Sequence, residues 1–119
     1  MGHDLIANLE ALLAKGSDGA TLRLALASRY LDVGNAAAAV KHAEAAVGLD
    51  PEYSAAWRAL GEALTAAGRV AEAEQSYERG IAVAERRGDQ QAAKEMRVFV
   101  KRLRRESKID PGSGGRADR

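Results

Sequence analysis

The chain has 119 residues, 46% of them hydrophobic and 29% charged, which fits one globular domain with a core that needs no staples. It contains no cysteine, which excludes disulfides, thiolate metal sites and a cysteine nucleophile and suits a reducing compartment. The formal charge of +1 by itself points to no polyanionic partner. Alanine is the commonest residue by far, prolines number 2 and aromatics make up 4%, a composition that favours helix over an all-β or doubly wound α/β domain. No apolar run approaches the ~18 residues of a membrane-spanning helix. Asp4 and Glu10 spoil the start as a secretory leader. The expectation is a soluble, cytoplasmic, all-α protein.

The opening helix carries Leu5, Leu9, Leu12 and Leu13, and Gly16-Ser17-Asp18-Gly19 ends it. A second helix is predicted over about Leu22–Val33, where Leu22, Ala25, Leu26, Ala27 and Tyr30 share one face. Gly34 suits the left-handed conformation that closes a helix, and Asn35 suits the cap of the next. That third helix covers about Ala36–Gly48, with Ala39, Val40, Ala43, Ala46 and Val47 facing inward. In Asp50-Pro51-Glu52, Asp50 reads as a cap and Pro51 as the first residue of a helix reaching Ala67. Gly68 stops it, and another helix over about Val70–Arg86 carries Ala73, Tyr77, Ile81 and Ala84. Asp89 caps a last helix reaching about Arg105, on which Ala92, Met96, Phe99 and Leu103 form an apolar stripe. Opposite that stripe lie Arg97, Lys101, Arg104 and Lys108. Residues 107–119 hold Gly-Ser-Gly-Gly and no apolar pattern, and are expected to be a disordered tail.

Sliding the chain against itself until Ala25 falls on Ala59 also pairs Leu26 with Leu60, Gly34 with Gly68, Glu44 with Glu78 and Val47 with Ile81. Such a period, ~34 residues, marks stacked helix pairs. The predicted organisation is one domain over 1–106: an N-terminal half-repeat (1–19), two repeats (20–53 and 54–87) and a capping helix (88–106).

The second unit carries Trp57, Leu60-Gly61, Gly68, Ala73 and Tyr77; the first keeps Leu26-Ala27, Tyr30, Gly34, Ala39, Ala43, Ala46 and Asp50-Pro51. This grammar resembles the tetratricopeptide repeat family. Arg23 departs from it where an aromatic is expected, as do Gly80 and Glu85 where Ala and Pro are usual. The resemblance implies a right-handed superhelical array of antiparallel helix pairs, about six helices in all. It also implies a concave face, made by the first helix of each pair, that holds a peptide or partner helix. On this chain that face comprises Thr21, Leu24, Ser28 and Leu31 in the first repeat and Ala55, Arg58, Glu62 and Thr65 in the second. The chaperone-binding branch of the family clamps a terminal carboxylate with Lys and Asn, but Leu24, Ser28 and Ala59 stand at those places here.

Other signals are weighed against plainer readings. Arg58 and Glu62, four apart, make either an ordinary surface pair or a ligand contact. Trp57 reads as core. Residues 1–85 hold 7 basic and 12 acidic residues, and residues 86–119 hold 11 and 5, so the chain runs from an acidic body to a basic end. The basic helix reads as a solvated cap, with an anionic partner as the alternative; the lack of aromatics among its cations disfavours nucleic acid. His3 lies at the terminus and His42 reads as an exposed helix residue, since Ala45 and Ala46 occupy its next turn. The glycines form no phosphate loop, and no serine sits in a nucleophile elbow. No metal or cofactor is expected. The function read from the sequence is a non-catalytic protein–protein interaction module, with self-association left open.

Overall fold

The computed structural model describes residues 2–109, with side chains described over 4–107. Six helices follow one another there without a strand: α1 (Gly2–Ala14), α2 (Ala20–Asp32), α3 (Ala36–Leu49), α4 (Ser54–Ala66), α5 (Val70–Arg86) and α6 (Gln90–Ile109). Gly34, Gly68 and Gly88 close α2, α4 and α5 at φ of 80°, 78° and 80°, a region that L side chains rarely adopt. The side chains of Asn35 and Asp89 then accept the amides of Ala38 and Ala92, at 3.1 and 3.0 Å, and start α3 and α6.

Two boundaries differ from expectation by more than two residues. Asp50 flanks the end of α3, and its carboxylate accepts the Glu52 amide at 3.1 Å, folding Asp50-Pro51-Glu52 into a turn. α4 therefore begins at Ser54 rather than at Pro51. At the other end, α6 continues to Ile109, so residues 107–109 extend the cap instead of opening a tail. Residues 105–109 contain no Gly or Pro to break the helix. The rest of the expected tail, 110–119, lies outside the described residues, as do the side chains of His3 and Lys108.

Each helix packs on the next, and α2 also meets α4, which meets α6. These three line one side of the stack, as the first helix of each pair should. The extents of 55 × 32 × 21 Å are those of an open stack rather than a sphere.

Small residues bring the helices together. Ala27, Ala39, Ala43, Ala63, Ala73, Ala84 and Ala93 are fully buried. A Cβ at Gly61 would stand 2.6 Å from the Tyr77 ring. One at Gly80 would stand 2.5 Å from the Met96 sulfur and 3.0 Å from Trp57 Cβ, which explains glycine at a place where the family pattern has alanine.

Two expectations about packing are corrected, and α1 shows a face that the sequence reading leaves unassigned. The buried stripe of α6 is Ala93, Met96, Val100 and Leu103, with Ala92 and Phe99 only half-buried at its margin. Trp57 is half-buried at the core's edge, because its indole N–H needs a polar partner and finds the Pro51 carbonyl at 2.8 Å. The Arg79 guanidinium covers that ring at 5.5 Å. On α1, Ile6 is buried while Leu5 and Leu12 remain 42% and 45% exposed.

Candidate functional site

α1, α2 and α4 enclose a groove of about 550 Å³. α2 contributes Thr21, Leu24, Ala25, Ser28, Arg29 and Leu31, and α4 contributes Ala55, Arg58, Ala59 and Glu62. Their spacing of three and four residues puts them on the inner side of each helix. Thr21, Leu24, Ser28, Leu31, Ala55, Arg58 and Glu62 thus line one groove. Thr65 does not join them: it is exposed, and its hydroxyl turns back to the Gly61 carbonyl at 2.8 Å. Sequence reasoning missed Leu5 and Leu9, which form the α1 wall. The available signal was leucine at positions where the following repeat has Ala39 and Ala43.

The groove's charges are partly committed. Arg58 lies 3.5 Å from Glu62 and donates at 2.8 Å to Glu95 on α6, with its guanidinium 5.2 Å over the Phe99 ring. Gln91 donates to the other Glu95 oxygen at 3.0 Å. Arg58 thus ties the second repeat to the cap, beyond the surface pair the sequence suggests. Arg29 pairs with Asp32 at 3.1 Å. Leu24, Ser28 and Ala59 all line the groove, so it offers neither ammonium nor amide where a carboxylate clamp needs them.

His42 is not the exposed residue expected; it is 2% exposed. Its ring lies parallel to Tyr30, centroids 5.5 Å apart. Nδ1 faces Arg23 Nη1 at 3.1 Å and Nε2 faces Glu10 Oε2 at 3.3 Å. Tyr30 donates to the same Glu10 oxygen at 2.6 Å, while Arg23 also grips Asp18 with two bonds of 2.8 and 3.0 Å. Arg23 holds the place that Trp57 takes in the second repeat, so the aromatic missing from the first repeat is replaced by a guanidinium with polar partners. Burial pushes the His42 pKa down, Glu10 opposes this, and Arg23 adds to it. The Tyr30 hydroxyl holds the Glu10 carboxyl below its usual range, with help from His42. The cluster joins α1, α2 and α3. Among the described residues no group of three or more His, Asp or Glu is placed to hold a metal ion.

On α6, Arg97 pairs with Glu85, and Arg104 reaches Glu74 at 2.7 Å and Glu78 at 2.8 Å. Both arginines stay exposed while reaching these α5 carboxylates, and Lys101, also exposed, lines the same cleft between α5 and α6. The expected basic face is therefore partly neutralised within the fold, and the glutamate at position 85 acquires a role there. No described helix is long and apolar enough to cross a membrane.

A family profile described as tetratricopeptide repeat matches residues 24–93. A TPR repeat-containing protein of Pseudomonas aeruginosa is 50% identical over 101 residues, covering 85% of this chain and 96% of that protein. The solution structure of a Bordetella parapertussis protein is similar at a TM-score of 0.76 and 41% identity, over 93% of this chain and 96% of its own. A tetratricopeptide repeat domain protein from Salinibacter ruber, also solved in solution, follows at a TM-score of 0.68 and 25% identity, covering 86% and 96%.

Proposed function

The chain belongs to the tetratricopeptide repeat family, and from that premise we propose that it is a non-catalytic adaptor holding a partner peptide or helix between α1, α2 and α4. Proteins of this family are in general protein–protein interaction modules. The observation that carries the reading here is a groove in which seven expected residues meet. Leu5, Leu9, Leu24 and Leu31 give it apolar walls, which suit the apolar side of an amphipathic helix. Arg29 and Glu62 orient that helix by its charged flanks. A groove built from two repeats buries little area, so a lone peptide should bind at ~1–100 μM.

The anionic-partner alternative loses ground on one observation: Arg97 and Arg104 already hold Glu85, Glu74 and Glu78.

The test is affinity capture followed by titration of the co-purifying protein. Ser28→Tyr fills the groove from a half-buried position and should weaken capture at least ~10-fold, a loss of about 1.4 kcal/mol. Lys101→Ala in the cleft between α5 and α6, away from the groove, should leave it unchanged. Binding lost only in the α6 variant would move the site to the cap.

A further inference from the structure

We propose that α1 is the contact surface between two copies of this chain, packed antiparallel about a two-fold axis near Asn8 and Leu9. This goes beyond the groove reading and does not depend on it, but Leu5 and Leu9 also form the α1 wall of the groove, so pairing of two copies competes with a groove-bound partner.

The uncovered side of α1 has the pattern of a helix-pairing seam. Leu5 and Leu12, two turns apart, are 42% and 45% exposed, whereas their counterparts in the following repeat, Ala39 and Ala46, are fully buried. Leu5, Asn8, Leu12 and Lys15 recur at three, four and three residues, the spacing of paired helices, with a polar residue at the centre.

Charge selects the occupant. Asp4 near the start and Lys15 just past the end of α1 lie on the same flank of the leucine stripe at 100° per residue. Neither side chain forms an ion pair among the described residues. In an antiparallel two-fold pair, like flanks face each other. Leu5 then meets Leu12 of the other copy, and Asp4 comes within about 3 Å along the axis of the other copy's Lys15, twice over. A parallel pair separates those flanks and aligns the helix dipoles unfavourably. The contact is isologous, so it closes at a dimer and builds no filament. A helix of 13 residues spans only about 20 Å, short of a standard interface, and the dissociation constant should fall near ~0.1–1 mM.

Sedimentation velocity from ~10 μM to ~1 mM reads the proposal directly. The apparent mass should rise from 12.6 kDa toward twice that value. Leu12→Glu, which lies outside the groove lining, should weaken association at least ~10-fold while groove capture persists. Asp4→Lys and Lys15→Asp should each weaken it, and the double exchange should restore it. Because that exchange leaves every leucine in place, it also decides the matter should Leu12→Glu unfold α1. A chain monomeric throughout the range would overturn the proposal. So would association lost in Ser28→Tyr and kept in Leu12→Glu, or a double exchange no better than its single variants.

Discussion

His42 and Tyr30 lie ring on ring at an interplanar angle of 3°, and both reach the same oxygen of Glu10, Nε2 at 3.3 Å and the hydroxyl at 2.6 Å. Arg23 can only donate, so His42 Nδ1 accepts from it and the ring proton sits on Nε2, donated toward Glu10. A second ring proton would displace the Arg23 bond and set two cations together.

The pH response follows from that arrangement. The folded pKa of His42 lies below its ordinary value of 6.5, chiefly through burial. Its contribution to stability is therefore complete above pH ~6.5 and is lost as pH falls from there toward the folded value. Glu10, also lowered, acts in the same direction only below its ordinary 4.5. The urea midpoint should drop between pH 7.5 and 5.5 in the wild type, and much less in His42→Gln. Equal slopes in the two proteins would remove His42 as the cause.

The two aromatics of the second repeat should differ in cost. Tyr77 is 3% exposed, and burial pushes its hydroxyl up to about 12, whereas Trp57 rests half-buried at the edge. Tyr77→Ala should cost about 3–5 kcal/mol and Trp57→Ala about 2 kcal/mol, despite the larger indole. Urea denaturation of both variants checks the order, and a reversed ranking would show that the indole is the main packing element.

Helix proximity is tested at Gly61. Alanine favours a helix interior over glycine by about 1 kcal/mol, so Gly61→Ala would stabilise an uncrowded helix. Here the new methyl meets the Tyr77 ring at 2.6 Å, and Phe99 stands against that ring at 5.4 Å. The net effect should be a loss of about 1–2 kcal/mol. A raised thermal midpoint would mean that α4 and α5 stand further apart.

What the sequence discloses depends on how local the cause is. α5 is legible residue for residue, because Gly68 and Gly88 bracket an uninterrupted apolar pattern. The groove is legible because the repeat period fixes the phase of α2 and α4; Thr65, in the last turn of α4, lies outside its lining. The His42 cluster is hidden because Glu10 and Arg23 arrive from two other helices, α1 and α2, far from His42 along the chain. Pro51 misleads for a local reason: the Asp50 side chain captures the Glu52 amide before a helix can use it.

Arg58 illustrates a cost that sequence alone would miss. The charge reversal Arg58→Glu would set a third carboxylate beside Glu62 and Glu95, and it removes the cation over Phe99. Arg58 is 39% exposed, so solvent limits the penalty to about 1 kcal/mol. Arg58→Glu should therefore lower the urea midpoint as well as capture, whereas Ser28→Tyr should lower capture alone. An unshifted midpoint for Arg58→Glu would show that the tie to the cap carries no energy.

The cap itself is the last prediction. α6 covers α5 with Met96, Val100 and Leu103, and its cations neutralise Glu74, Glu78 and Glu85. Ending the chain after Arg87 would expose Tyr77 and Ala84, leave those three carboxylates without their guanidinium partners and remove Glu95 from Arg58. Such a chain should lose cooperative unfolding or aggregate, because an open solenoid end presents apolar surface. Ending it after Leu103 keeps the apolar stripe but removes Arg104 from Glu74 and Glu78. These pairs are more than a third exposed on the arginine side, so the loss should stay near ~1 kcal/mol. Ending it after Ile109 keeps both stripe and pairs, and the urea midpoint should match the full chain. The three truncations should therefore rank in that order by denaturation; equal midpoints for the first and the last would refute α6 as an integral cap.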